Sequence, residues 1–374
     1  MSVVEGTPGP DDAVQPQFGL INLLKAGAAQ LIVLHHLAFY GPMSDHVRQI
    51  LPALIDWLDI NARIAVQVFL VVGGFLVAKS LSPAGHPGLS DPLGAISRRY
   101  AKLAPPFMVA TLLAAIASAL AGTLMSHGSI SAPATLSQLS AHALLLHGVL
   151  GYESLSAGAW YVAIDFQLYA LMALLLWLAG RVAGRRLLPW LMPLVIALGV
   201  TLSLLHFNLD AGWDNWAPYF FGSYGLGLLA WWASDPCRKP GAVALLLAMA
   251  MAPALAGLMV EFRSRIALAL VVACVLFLFG RARTVSGGRA WAVVSGLGRI
   301  SYSVFLIHFP VCLLVNAAFT RFVPAAPELQ GLGMLVAWAA SLAAGAAFFR
   351  WVEVPLGRVM QFATERVVVR PVPA

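Results

Sequence analysis

Apolar runs of about 20 residues recur along the whole chain, and nothing else in the sequence restricts the fold as strongly. Twenty helical residues rise about 30 Å, the thickness of a bilayer's hydrocarbon core. A segment crossing that layer must satisfy its own backbone polar groups, so long runs without barrel-type alternation predict helices. Ten runs are legible, at about 19–40, 60–80, 101–124, 160–180, 187–206, 214–233, 241–260, 264–280, 292–318 and 331–352. The stretch around 139–150 is too short to span and is expected to form a re-entrant or interfacial helix. The expected architecture is all-α: a polytopic membrane helix bundle of about ten transmembrane helices with a central polar pore.

Composition excludes the main alternatives. Of 374 residues, 60% are hydrophobic and 10% charged, against about 25% charged in an average soluble domain. That is too little charge to coat a soluble globule, which excludes an ordinary cytosolic enzyme, a disordered chain and a nucleic-acid binder. The net charge of +7 fits the basic loops of membrane proteins. Cys237, Cys274 and Cys312 are odd in number and lack CxxC spacing, so neither a disulfide framework nor a structural metal site is expected.

Lys and Arg in alternate loops set the orientation. Fifteen of the 23 fall on the side of both termini, among them Lys79, Arg98, Arg99, Lys102, Arg185, Arg186, Arg283, Arg366 and Arg370. Five fall on the other side: Arg48, Arg63, Arg263, Arg265 and Arg321. Both termini are therefore expected in the cytoplasm. Residues 1–17 lack the basic start of a signal peptide and are expected to be a disordered cytoplasmic tail. Residues 18–358 form the membrane domain, and 359–374 a second cytoplasmic tail.

Charged groups inside a membrane are costly, so each marks a candidate site. In the first span, Lys25 and His36 stand eleven residues apart. Eleven residues are almost three turns, so both lie on one helix face about 16 Å apart along the axis. His35 is about 100° and Gln30 about 140° away from that phase. The competing assignment has Lys25 snorkelling to headgroups and the histidines at the interface. Arg98, Arg99 and Lys102 gather before Pro105 and Pro106; their i,i+3 and i,i+4 spacings let a helix converge them on phosphate groups. Asp165 and Gln167 interrupt an apolar span near its outer end, beside Trp160, Tyr161 and Tyr169. Arg299, Ser301, Tyr302, Ser303 and His308 lie in a further span, where Ser and Tyr are expected to serve packing. Arg350 and Glu353, three apart, are spaced so that a helix could pair them, a purely structural role.

In order, these blocks resemble the acyltransferase-3 family of integral membrane acyltransferases, from about Phe18 to Arg358. Lys25 and His36 match the family's basic residue, ten intervening residues and His. VFLVVGGFLVAKS at 68–80 is similar to its second span, with Gly73 where Ser is usual. Arg98, Arg99, Lys102 and Pro105 match its Arg-Arg-x-x-Arg-x-x-Pro block. Trp160, Gln167 and Tyr169 match its tryptophan block, with Asp165 and Phe166 in place of two Glu. LGRISYSVFLIHFPV and FRWVEVP resemble the last two blocks.

The resemblance implies an enzyme in a bacterial inner membrane that moves an acyl group, typically acetyl, from cytoplasmic acyl-CoA to a hydroxyl of an extracytoplasmic or lipid-linked carbohydrate. Acyl-CoA would be a co-substrate, with no bound cofactor and no metal. Arg98, Arg99, Lys102 and Lys25 would hold acyl-CoA. His36 would be the general base, suited by an unperturbed pKa of about 6.5, with Asp165 a second catalytic residue. Arg63, Trp160, Gln167 and Tyr302 are candidates for substrate or oxyanion contacts. Two other classes compete: a secondary transporter or flippase, and a non-catalytic relative, suggested by Gly73 and Phe166.

Overall fold

A computed structural model of the protein describes residues 19–182, 188–282 and 288–360. Among these the chain forms only helices and turns: α1 Gly19–Phe39, α2 Pro42–Val47, α3 Pro52–Asn61, α4 Val66–Leu81, α5 Pro92–Gly122, α6 Leu136–Ala143, α7 Ala159–Val182, α8 Leu188–Leu205, α9 Ala217–Ala233, α10 Pro240–Val260, α11 Ser264–Phe279, α12 Arg289–Phe322 and α13 Pro327–Phe348. A π-turn at Phe349–Glu353 continues α13, and the helix runs on through Met360. Arg185, Arg186, Arg283, Arg366, Arg370 and both terminal tails (1–18 and 361–374) lie outside the described residues.

Among the described residues, eight stretches are long and apolar enough to cross a membrane, one of them running from α3 into α4 as Pro52–Leu81. The expected ten are reduced by α9, with 17 residues, and α11, with 16. Helix α9 is buried along its length except at Pro218. A helix enclosed by protein on all sides has no lipid thickness to match. Its small residues allow the enclosure. A Cβ on Gly227 would fall 2.0 Å from the Val71 carbonyl oxygen, and one on Gly74 1.9 Å from that of Tyr224. Helices α4 and α9 thus touch backbone to backbone, as small-residue interfaces do in membranes.

Helices α2, α3, α5, α9, α10 and α13 begin with proline in the first turn. Proline costs nothing there because its missing N–H would have no partner anyway. Asp91 caps α5 by accepting from the Gly94 amide at 2.7 Å. The third long helix therefore starts at Pro92, well before the expected 101. Its first turns are polar, so an apolar run misses them; the Asp-Pro pair was the available signal. The 139–150 stretch holds the end of α6 and a turn.

Arg263, expected as a loop charge, is buried. It donates to the carbonyls of Leu204 (2.9 Å) and Gly257 (3.1 Å) and to Asn208 Oδ1 (2.7 Å). It thereby serves the last turns of α8 and α10, whose carbonyls have no helical partner. The long helices alternate in direction and define two faces. The terminal face carries the start of α1 and the end of α13. The loop face carries the 123–158 segment.

Candidate active site

Helices α1, α4, α7 and α12 surround two cavities, one above the other. The cavity toward the terminal face has a volume of about 430 Å³ and is lined by Lys25, Arg99, Lys102, Asp165, Arg299, Tyr302 and Glu353, with Phe69, Gly73, Tyr161 and Phe305 among the rest. The cavity toward the loop face measures about 640 Å³ and holds His35, His36, Tyr40, Asp59, Arg63, Glu153, Trp160 and Phe305. Lys25 and His36 do share a face of α1, and each opens into a different cavity. The expected polar pore is therefore interrupted: Phe305 borders both cavities.

His36 Nδ1 lies 2.6 Å from His308 Nε2. The ring centroids are 4.9 Å apart with planes within 5° of parallel. With so short a nitrogen–nitrogen contact, that separation means the rings meet end to end in one plane, as a hydrogen bond requires, and are not stacked face to face. The direction of the bond follows from the other end of His308. Its Nδ1 contacts the carbonyl oxygens of Phe305 (2.8 Å) and Val304 (3.2 Å). Carbonyls only accept, so His308 Nδ1 carries the proton and, in the neutral pair, His308 Nε2 accepts from His36 Nδ1. His36 Nε2 is then left with its lone pair. This is the tautomer a base facing the cavity needs. His35 is fixed separately, Nδ1 donating to the Leu58 carbonyl at 3.1 Å.

In the terminal-face cavity, Arg99 donates to Asp165 Oδ2 at 2.5 Å, joining α5 to α7. Asp165 sits in the first two turns of α7, as expected from its place near one end of that span. Its partner places it in the terminal-face cavity, apart from His36. Arg99 and Lys102 face that cavity together. Arg98, about 100° round the helix from Arg99, is exposed and stands 3.9 Å from Asp91. The three basic residues therefore do not converge. Because Arg99 is matched by Asp165, the surplus charge comes from Lys25, Lys102 and Arg299 against Glu353.

Glu353 does not pair with Arg350. Among the described residues no such ion pair forms, and Glu353 accepts from Ser303 Oγ at 2.5 Å. The π-turn changes the angular spacing that an α-helical i,i+3 pairing assumed. Gln167 lines neither cavity; its Oε1 accepts from the Ala217 amide at 3.1 Å and so serves the start of α9. The Tyr302 hydroxyl donates to the Leu103 carbonyl at 3.0 Å, in the cavity opposite His36. Arg63 and Trp160 share the His36 cavity. Trp160 has one face packed on Phe220, centroids 5.4 Å apart.

Gly73 and Phe166 depart in side-chain character from the pattern the sequence resembles. A Cβ on Gly73 would lie 3.5 Å from Asp165 Oδ1 and 3.6 Å from Tyr224 Cε2, ordinary contact distances. Phe166 meets Tyr100 edge to face at 5.7 Å, outside both cavities. His308, to which the sequence alone gives no role, and Phe305 are the site residues that sequence reasoning missed. The signal was an ionisable residue in the apolar run FLIHFPV, which merits a site hypothesis by default.

A family model for an acyltransferase domain, acyltransferase-3, matches residues 19–350. Searches of curated proteins and of solved structures give no match. The match covers α1, α4, α7 and α12, the helices that line both cavities, and the chain belongs to the acyltransferase-3 family of multi-pass membrane enzymes, acyltransferases that act on groups other than aminoacyl.

Proposed function

We propose that the protein moves an acyl group, acetyl in the simplest case, from cytoplasmic acyl-CoA to a hydroxyl of an extracytoplasmic or lipid-linked carbohydrate. One observation carries this reading: a cationic cavity and a cavity holding an oriented imidazole lie on opposite sides of one bundle, joined along α1. The enzyme would sit in a bacterial inner membrane with both termini and the Lys25 cavity toward the cytoplasm. The excess of Lys and Arg in the loops of the terminal face supports that orientation.

Lys25, Lys102 and Arg299 would attract the CoA phosphates, with Arg98 adding charge at the rim. Arg99, tied to Asp165, would shape the wall more than supply free charge. The thioester would then advance along α1 to His36. There the acceptor hydroxyl gives its proton to His36 Nε2 as its oxygen attacks the thioester carbonyl. The carbon–sulfur bond breaks, the proton passes to the departing thiolate, and an ester and CoA result. Trp160 and the polar groups Asp59, Arg63 and Glu153 offer an aromatic surface and hydrogen bonds for a sugar.

The test is mass spectrometry of surface glycans with and without the gene. Loss of one acyl mass, restored by wild type and not by His36→Ala at equal membrane abundance, supports the reading; unchanged glycans overturn it. Opposed cavities also suit a transporter or flippase, and CoA release from acetyl-CoA by purified protein separates the two.

A further inference from the structure

We propose that the Phe305 side chain is the partition that seals the two cavities from each other and, by its bulk, selects which acyl groups cross between them. The sealing role stands on the geometry alone; the selecting role rests on the acyl-transfer reading above.

The lining changes cavity at one level on each helix that borders both. Lys25 faces the terminal side and Ile32 the loop side on α1. The same division separates Phe69 from Val66 on α4 and Tyr161 from Trp160 on α7. On α12 it falls at Phe305, which alone among the described residues borders both. Phe305 meets Tyr161 edge to face at 5.2 Å and Phe69 at 6.0 Å, and Phe69 lies 5.9 Å from Tyr161. Three rings thus close one level of the bundle. Space for Phe305 is reserved by Gly158, where a Cβ would come 2.8 Å from Phe305 Cε1.

A constriction lined by rings excludes water and ions by dewetting, even where polar cavities flank it. A membrane protein with aqueous cavities on both sides needs such a barrier. A thioester going from Lys25 to His36 has to displace these rings, and wider or longer acyl groups displace them further. Phe305 also holds the base: its carbonyl accepts from His308 Nδ1. Changing the side chain leaves that carbonyl in place, so the partition is testable without dismantling the histidine pair.

The experiment uses the full chain in phosphatidylcholine–phosphatidylglycerol vesicles loaded with a pH-sensitive dye. Wild type, Phe305→Ala and Phe305→Leu are compared for proton equilibration after an external pH step. CoA release from acetyl-, butyryl- and hexanoyl-CoA is measured in parallel, with a membrane glycolipid extract as acceptor. Wild type should be tight and should prefer acetyl over butyryl by about tenfold or more. Phe305→Ala should equilibrate protons more than about tenfold faster and reduce the donor preference toward unity. Phe305→Leu should be intermediate in both, and it serves as the test if the alanine variant fails to fold. Folded variants that stay tight overturn the partition, whatever their donor preference. A leak without CoA release from any donor, in wild type or variant, sustains the partition and rejects acyl transfer.

Discussion

His36 Nδ1 donates to His308 Nε2 across 2.6 Å, joining residues 272 positions apart. The bond ties α1 to α12 and fixes which imidazole nitrogen is free. His308 is in turn held by two carbonyls of its own helix, so a chain of hydrogen bonds runs from the backbone to the nitrogen proposed to accept the acceptor's proton.

Removing His308 should therefore damage the rate without damaging donor binding. His308→Ala is expected to lower kcat by about a hundredfold or more, the scale of a displaced general base, with KM for acyl-CoA little changed. Gln in its place presents an oxygen that accepts from His36 Nδ1, so His308→Gln should recover part of the loss. Steady-state kinetics of CoA release with acetyl-CoA checks both. Equal losses in alanine and glutamine variants would reduce His308 to a packing residue.

The Arg99–Asp165 pair predicts a coupling in stability. Asp165→Ala leaves a guanidinium inside the bundle without its carboxylate, a change that costs about 3 kcal/mol when such a pair is buried. Arg99→Met combined with Asp165→Ala should cost less than the two single changes added together. Thermal unfolding of the detergent-solubilised variants gives the cycle. Additive effects would mean that the two groups do not interact.

Adjacent glycines should behave in opposite ways. Gly73→Ser finds its neighbours at 3.5 Å and beyond, within reach of Asp165, whereas Gly74→Ala drives a Cβ into the Tyr224 carbonyl at 1.9 Å. The serine should shift stability by less than about 1 kcal/mol, and the alanine should cost about 3 kcal/mol through overpacking. Expression level and Tm compare them, and a tolerant Gly74 would contradict the backbone contact between α4 and α9.

The loop-face segment carries a pH dependence of its own. His147 is fully buried, neither ring nitrogen has a hydrogen-bond partner among the described residues, and it stacks on His142 at 4.0 Å. Burial, then the His142 ring, push its pKa down to about 3. Between about 6.5 and about 3 the unfolded chain holds this proton and the folded chain does not, so stability falls as pH drops through that window. The slope is at most about 1.4 kcal/mol per pH unit. His147→Phe should flatten the acid limb of a Tm-versus-pH curve measured in detergent. An unchanged limb would place the sensitivity elsewhere.

Much of the frame was legible because it depends on local pattern. Apolar run length marks the long helices, and eleven residues between Lys25 and His36 are nearly three turns whatever surrounds them. What escaped depends on crossings between distant helices. Asp165 stood out as an intramembrane carboxylate, but its partner Arg99 is brought to it only by α5 packing on α7. His308 had no role on sequence alone until α1 supplied His36. Glu353 could pair with Arg350 on α-helical spacing, and a π-turn removed that geometry. Gln167 stood in a block of site candidates, yet its oxygen serves the first turn of α9.

The central claim is that His36 is the base toward which acyl-CoA is delivered from the Lys25 side. The most direct measurement is CoA release from acetyl-CoA by purified protein with a membrane glycolipid extract, wild type against His36→Ala at matched fold and amount. The account predicts steady release by wild type and a loss of about a thousandfold in the variant. Release by His36→Ala at the wild-type rate would contradict it.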